Sequence, residues 1–166
     1  MTYNVLFLCT GNSARSILAE VLLGVLGKDR FVAYSAGSHP SGRAQPLAAE
    51  LAVKLGYPAE KLRSKSWDEY AVDSAPKMDF IITVCDNAAG EMCPIWPGQP
   101  ITAHWGVSDP ATVEGSEEQQ RAAFRDTYTT LRRRVELLLA LPLEKLDHLA
   151  RERELHAIAA TTARDA

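Results

Sequence analysis

Three observations predict an α/β fold for this chain. Short apolar strands alternate with amphipathic helices, the pattern of right-handed βαβ units around a parallel sheet. Two of the strands end directly at chemically reactive residues, as expected where ligands bind beyond the carboxyl ends of a parallel sheet. The 166 residues, 46% hydrophobic and 23% charged, suit one domain with a full core.

The elements follow in order. Residues 3–8 form an apolar strand. Ser16 to about Leu26 reads as a helix, with Leu18, Val21, Leu22 and Val25 on one face and Gly27 as its stop. Phe31 to Ser35 is a short strand that enters the turn Ala36-Gly37-Ser38-His39-Pro40. Pro46 to about Leu55 is a helix closed by Gly56, and residues 66–73 form another short helix. Asp79 to Val84 is a buried strand that delivers Cys85, and Pro100 to His104 is the last strand. Ser116-Glu117-Glu118-Gln119 is a capping box opening a long helix with Phe124, Tyr128, Leu131, Val135 and Leu138 in register. Pro142 interrupts it, and Leu143 to about Ala160 reads as one further, more polar helix. The sum is a three-layer sandwich, a four-stranded parallel sheet flanked by helices, with no repeat, linker or low-complexity tract.

Charge and hydropathy exclude several classes. A net charge of −3 with no basic stripe gives no footprint for nucleic acid. Arg132-Arg133-Arg134 is an isolated cluster, expected as the solvated face of a helix. No apolar run is long enough to span a bilayer, and no signal peptide is evident, so a cytoplasmic location is expected. Three cysteines in a reducing compartment then argue for chemistry or redox traffic over structural bridges.

The chemistry concentrates in Cys9-Thr10-Gly11-Asn12-Ser13-Ala14-Arg15-Ser16. A loop of small residues containing Gly11 lets backbone N–H groups converge as an anion nest, and the following helix aims its positive end there. Arg15 adds a planar fork that holds two oxygens at once. That field favours a Cys9 thiolate, and Ser16 can donate to the sulfur. The segment therefore binds a tetrahedral oxyanion through Thr10, Gly11, Asn12, Ser13, Ala14 and Arg15, and supplies the nucleophile that attacks it. A lone buried cysteine at a strand end would be the ordinary reading; strand, cysteine, glycine loop, arginine and helix together outweigh it.

Asp109-Pro110 follows the last strand. Pro110 biases Asp109 toward an extended backbone. Asp-Pro is also a common turn dipeptide, but beside an oxyanion loop the carboxyl group suits a general acid for the departing oxygen. Cys85 and Cys93 flank a small, flexible segment that suits transient disulfide exchange. A zinc site competes poorly, with three cysteines and no histidine at short spacing, and a buried packing Cys85 with a loop Cys93 is the other alternative. His39 and His104 lie near strand ends, and His148 and His156 on a helix surface. Trp67, Trp96 and Trp105 are core residues by default, with a wall of the site as the second reading.

The loop from Cys9 to Ser16, with Asp109-Pro110, resembles the low-molecular-weight tyrosine phosphatase superfamily. Cys85, Cys93-Pro94 and His104-Trp105-Gly106 are similar to its thioredoxin-coupled arsenate reductase branch, over about residues 3–139. The resemblance implies a relay. Cys9 attacks arsenate held by the loop and Arg15 while Asp109 protonates the departing oxygen. Cys85 attacks Cys9, releasing arsenite, and Cys93 then takes up a Cys85–Cys93 disulfide for thioredoxin or a low-molecular-weight thiol to reduce. It implies residues 1–141 as the reductase domain and 142–166 as a helical extension. No cofactor is expected, and no nucleic-acid or membrane partner.

The sequence departs from that branch in places. Ala14 stands where the best-known reductases carry another cysteine, and the Cys85–Cys93 spacing is one residue longer. Asn12, Glu20 and Ser35 match a potassium site of those reductases, but Ser66 replaces its acidic fourth ligand, so no metal is assigned. The alternative function is a phosphotyrosine phosphatase working through a Cys9 phosphoenzyme. Such enzymes carry tyrosines after the Asp-Pro, where this chain has Ala111-Thr112-Val113.

Overall fold

The structure, a computed structural model, describes residues 2–85 and 96–161. Four parallel strands, β1 (Tyr3–Cys9), β2 (Phe31–Gly37), β3 (Phe80–Thr83) and β4 (Ile101–His104), lie in the order β2-β1-β3-β4. The register pairs Cys9 with Gly37, Leu8 with Thr83 and Thr83 with His104. All four strands therefore finish at one edge, and the segments that follow them share a crevice.

Side-chain alternation along β1 divides the core. Tyr3, Val5, Phe7 and Cys9 face the larger cluster, built with α1 (Arg15–Leu26), α2 (Pro46–Lys54), α3 (Glu117–Leu139) and α4 (His148–Ile158). Leu6 and Leu8 face a smaller cluster with Ala36, Trp67, Met78 and Ile81, covered by the 3₁₀ turn Trp67–Tyr70. The predicted α/β sandwich is the fold observed.

Helix starts follow local chemistry. Ser116 and Gln119 form the expected capping box at α3, Asp147 caps α4 and the Gln45 side chain caps α2. Helix α1 has Ala14 at its N-cap and no side-chain cap, so its first N–H groups remain available to a ligand.

Several expectations change. Strand β2 runs on to Gly37, through the first two residues of the expected turn, and Gly37 N–H donates to Lys65 O (2.9 Å). The segment expected as a helix over 66–73 is the shorter 3₁₀ turn. The single helix expected from Leu143 splits into a 3₁₀ turn, Leu143–Lys145, and α4, because Asp147 Oδ1 accepts from Ala150 N–H (2.8 Å) and starts a new helix. Arg134 is not on a solvated face: it is 3% exposed. Leu143, Leu155 and Ile158 are buried in the main cluster, and Trp105 Nε1–H donates to Leu155 O (2.9 Å). The C-terminal segment thus docks on the same core as the sheet. Among the described residues no helix is long and apolar enough to cross a membrane.

Leu155→Ala should lower the unfolding free energy by about 2–5 kcal/mol within one cooperative urea transition. A loss below about 0.5 kcal/mol, or a separate early transition, would mean that α4 is not part of the core.

Candidate active site

The loop after β1 owes its shape to where its carbonyls point. Thr10 O accepts from His39 N–H (2.9 Å), Gly11 O from Ser41 N–H (2.9 Å) and Ser13 O from Gln45 N–H (2.8 Å); Ser64 Oγ also donates to Gly11 O (3.1 Å). A trans peptide directs C=O and N–H oppositely. Carbonyls held outward therefore turn the N–H groups of Gly11, Asn12 and Ala14 to the loop's concave side. Asn12 sits at φ 44°, a left-handed step that helps curl successive amides into a nest and that asparagine tolerates.

Side chains brace the loop from beneath. Lys65 N–H donates to Asn12 Oδ1 (2.9 Å), and Asn12 Nδ2 donates to Ser16 Oγ (2.9 Å) and Ser35 Oγ (3.0 Å). Ser16 Oγ lies 2.9 Å from Cys9 Sγ. Because Ser16 accepts from Asn12, its own hydrogen is left for the sulfur, which suits a thiolate acceptor. The chain of contacts from the Lys65 N–H through Asn12 and Ser16 ends at Cys9.

The same brace decides the question of potassium. Glu20 is buried, accepting from Ser35 Oγ (2.6 Å) and from Tyr57 OH. Burial and Glu20 together raise the Tyr57 pKa, so it stays a donor. Lys65, 6% exposed, places Nζ 3.9 Å from Glu20 Oε1 and 2.7 Å from Arg63 O. Burial lowers the pKa of that ammonium, and Glu20 draws it partly back. Ser66 Oγ instead caps the 3₁₀ turn, accepting from Asp68 N–H (3.1 Å). The oxygen set implied by the resemblance therefore does not fit potassium: the cation facing Glu20 is the chain's own ammonium.

Arg15 opens α1 and faces the loop after β4. Its Nη1 donates to Val107 O (3.2 Å), and Nη2 lies 3.4 Å from Asp109 Oδ2. Asp109 has the extended backbone expected before Pro110 (φ −76°, ψ 111°), and Oδ1 caps the turn Pro110–Thr112 through Ala111 N–H (2.9 Å). Both sequence readings meet on one carboxylate, with one oxygen in the turn and the other beside the arginine of the oxyanion loop.

Cys85 arrives alongside. Val84 N–H donates to Leu8 O (2.8 Å), which carries the chain beyond β3 next to β1. Thr10 N–H donates to Cys85 Sγ (3.3 Å), and Thr10 Oγ1 is 3.6 Å from that sulfur. Cys93 lies outside the described residues. His104 Nδ1 is 2.7 Å from Thr83 Oγ1, while His39, His148 and His156 are exposed. Trp105 is fully buried against Phe7, and Trp67 packs edge-on to Trp96 on the opposite sheet face, so core packing accounts for both Trp105 and Trp67. Among the described residues no cluster of three histidine, cysteine or acidic side chains could hold a metal.

Gly37 and Lys65 are the residues that sequence reasoning missed. A Cβ at Gly37 would lie 2.5 Å from Thr10 O and 2.9 Å from Cys9 O. Its signal was its place closing the strand beside the nucleophile strand. Gly37→Ala should cost about 1–3 kcal/mol and remove phosphate protection of Cys9 against iodoacetamide; intact protection would show that the loop tolerates displacement. Lys65→Met should cost about 3–5 kcal/mol by leaving Glu20 buried without its cation. The wild-type melting temperature should be equal in potassium and choline chloride at matched ionic strength. A potassium-specific rise would restore the ion site.

The profile of the family "Low molecular weight phosphotyrosine protein phosphatase" matches residues 4–154. An arsenate reductase of Halalkalibacterium halodurans is 34% identical over 131 residues, 79% of this chain and 91% of that protein. A solved arsenate reductase in a phosphate-binding state superposes with a TM-score of 0.63 at 27% identity, covering 84% of this chain and 98% of the other. The thioredoxin-dependent arsenate reductase of Corynebacterium glutamicum gives a TM-score of 0.59 at 25% identity, over 87% of this chain and 64% of its own. A loop of inward amides and Arg15 around a strand-end cysteine, matched along nearly the whole chain, places this protein in the low molecular weight phosphotyrosine protein phosphatase family.

Proposed function

We propose that this protein reduces arsenate to arsenite through Cys9, Cys85 and Cys93. The observation that carries the reading is the Cys85 sulfur against the Thr10 amide of the nucleophile loop. Phosphate-ester hydrolysis needs one thiol; reduction of As(V) needs two electrons, which Cys9 and a second thiol at the loop supply together when they join in a disulfide. The curated relative and the superposed reductases support the same choice of substrate.

The first step forms a Cys9 S–As bond as an As–O bond breaks. Asp109 delivers its proton to that oxygen, which leaves as water, while Arg15 and the loop amides hold the remaining oxygens. The Cys85 thiolate then attacks Cys9 Sγ. An S–S bond forms, the S–As bond breaks, and its electron pair stays on arsenic, which departs as As(III). Cys93 attacks Cys85 Sγ and releases Cys9 as a thiolate. A cytoplasmic dithiol of the thioredoxin type reduces the Cys85–Cys93 disulfide, the reductant named for the Corynebacterium relative. On this reading residues 1–141 carry the chemistry and 142–166 are a helical extension to it. The residues after Asp109, Pro110-Ala111-Thr112-Val113, offer no aromatic wall for phosphotyrosine.

Cys9→Ser should abolish turnover. Cys93→Ser should release about one arsenite per enzyme and accumulate a Cys9–Cys85 disulfide, read by peptide mapping after alkylation. Multiple turnover with thioredoxin and its reductase in the Cys85→Ser, Cys93→Ser double variant would replace the internal relay with direct attack on the Cys9 adduct by an external thiol.

A further inference from the structure

Arg134 is a charged side chain that the chemistry above leaves unused. It projects from α3 into the interior, 3% exposed, and its partners are backbone carbonyls from two distant segments. Nη1 donates to Trp105 O (2.8 Å) and Gly106 O (3.2 Å), Nε to Thr161 O (2.8 Å) and Nη2 to Ala159 O (3.1 Å). Burial lowers its pKa from the ordinary arginine value, yet a guanidinium starts so high that it stays charged. A buried charge is costly, and an apolar side chain would pack an interior helix face at less expense. What arginine adds is a rigid fork that ties three pieces of chain together.

One of those pieces leads into the site. Trp105 and Gly106 are the root of the loop that carries Asp109. The next carbonyl, Val107 O, is held by Arg15 (3.2 Å). Two arginines thus hold three consecutive carbonyls of one loop. Arg15 is also the fork for the oxyanion, so an incoming substrate competes for the donors that now serve Val107 and Asp109. Arg134 stands apart from that competition. Of its other acceptors, Ala159 O is the C-cap carbonyl of α4, where the helix dipole favours a cation, and Thr161 O lies just beyond it.

We propose that Arg134 is a positioning residue for Asp109: it fixes the root of the acid loop while Arg15 is occupied by substrate, and it ties that root to the end of α4. The proposal rests on Asp109 as the general acid. The docked C-terminal segment thereby acquires a role in the reaction geometry.

The test is a double-mutant cycle under single-turnover conditions, with pre-reduced enzyme in excess over arsenate and arsenite measured after quenching. Asp109→Asn should slow release by about 10²–10⁴-fold. Arg134→Gln should slow it by about 10–100-fold with phosphate affinity unchanged, and Arg134→Lys should recover part of the rate. The Arg134→Gln, Asp109→Asn double variant should be no slower than Asp109→Asn alone, since Arg134 acts through that carboxyl group. Multiplying losses, or a wild-type rate in Arg134→Gln, would overturn the inference while Asp109→Asn remains slow. A wild-type rate in Asp109→Asn would instead remove the acid assignment beneath it. If Arg134→Gln does not fold, the cycle is run with Arg134→Lys, whose ammonium lacks the fork, and the same criteria apply.

Discussion

The outward carbonyls of Thr10, Gly11 and Ser13 are the constraint on which the rest of the structure depends. An oxyanion site made of peptide N–H groups exists only if the opposite ends of the same peptides find partners elsewhere. Those partners come from His39, Ser41, Gln45 and Ser64, all in segments that follow β2 and α2. The sheet order places β2 beside β1 so that these segments can reach the loop. Gly37 is required at the join because a side chain there would collide with the carbonyls being positioned. The uncapped start of α1 belongs to the same arrangement, since a capping side chain would consume the donors that the site offers.

Buried charge is used in two different ways. Glu20 and Lys65 sit beneath the loop as an imperfect pair, 3.9 Å apart, each held by further hydrogen bonds. Such a pair contributes little net stability against an apolar alternative, but removing one partner is expensive. Asn12 is held at both ends beside this pair: its Oδ1 accepts from the Lys65 backbone N–H, and its Nδ2 donates to Ser16 Oγ and to Ser35 Oγ, which in turn donates to Glu20. A covalently tethered ammonium faces Glu20 without depending on an ion from solution. Arg134 works through carbonyls alone, so its charge sets geometry without placing a second anion near the substrate.

Local pattern revealed what local chemistry decides. The strand entering Cys9, the arginine opening α1, the box at Ser116 and the extended Asp109 all follow from neighbours within a few positions, and each was readable in order. Lys65, Gly37 and Arg134 were not, because their meaning depends on partners far along the chain. Lys65 matters through Glu20 and Asn12, and Gly37 through Thr10. Arg134 matters through Trp105 and Thr161. An arginine run in a polar helix reads as surface whichever of its members points inward. The break before α4 was hidden for a related reason: Asp147 is one polar residue among many until its carboxylate meets Ala150 N–H.

Burial also bears on why the proposed relay uses three thiols. Cys9 and Cys85 are 3% and 1% exposed, out of reach of a protein dithiol that must bring its own sulfur into line with the bond it breaks. The seclusion that lets amides and Arg15 act on arsenate in a low-dielectric site would strand the product disulfide. Exchange through another cysteine resolves the conflict, because a thiolate of the same chain attacks at high effective concentration and hands the oxidising equivalents outward. The chain has one further cysteine, Cys93, eight positions after Cys85. On the proposed relay, a site that shields its first sulfur and a reductant too large to enter together give the third thiol its role.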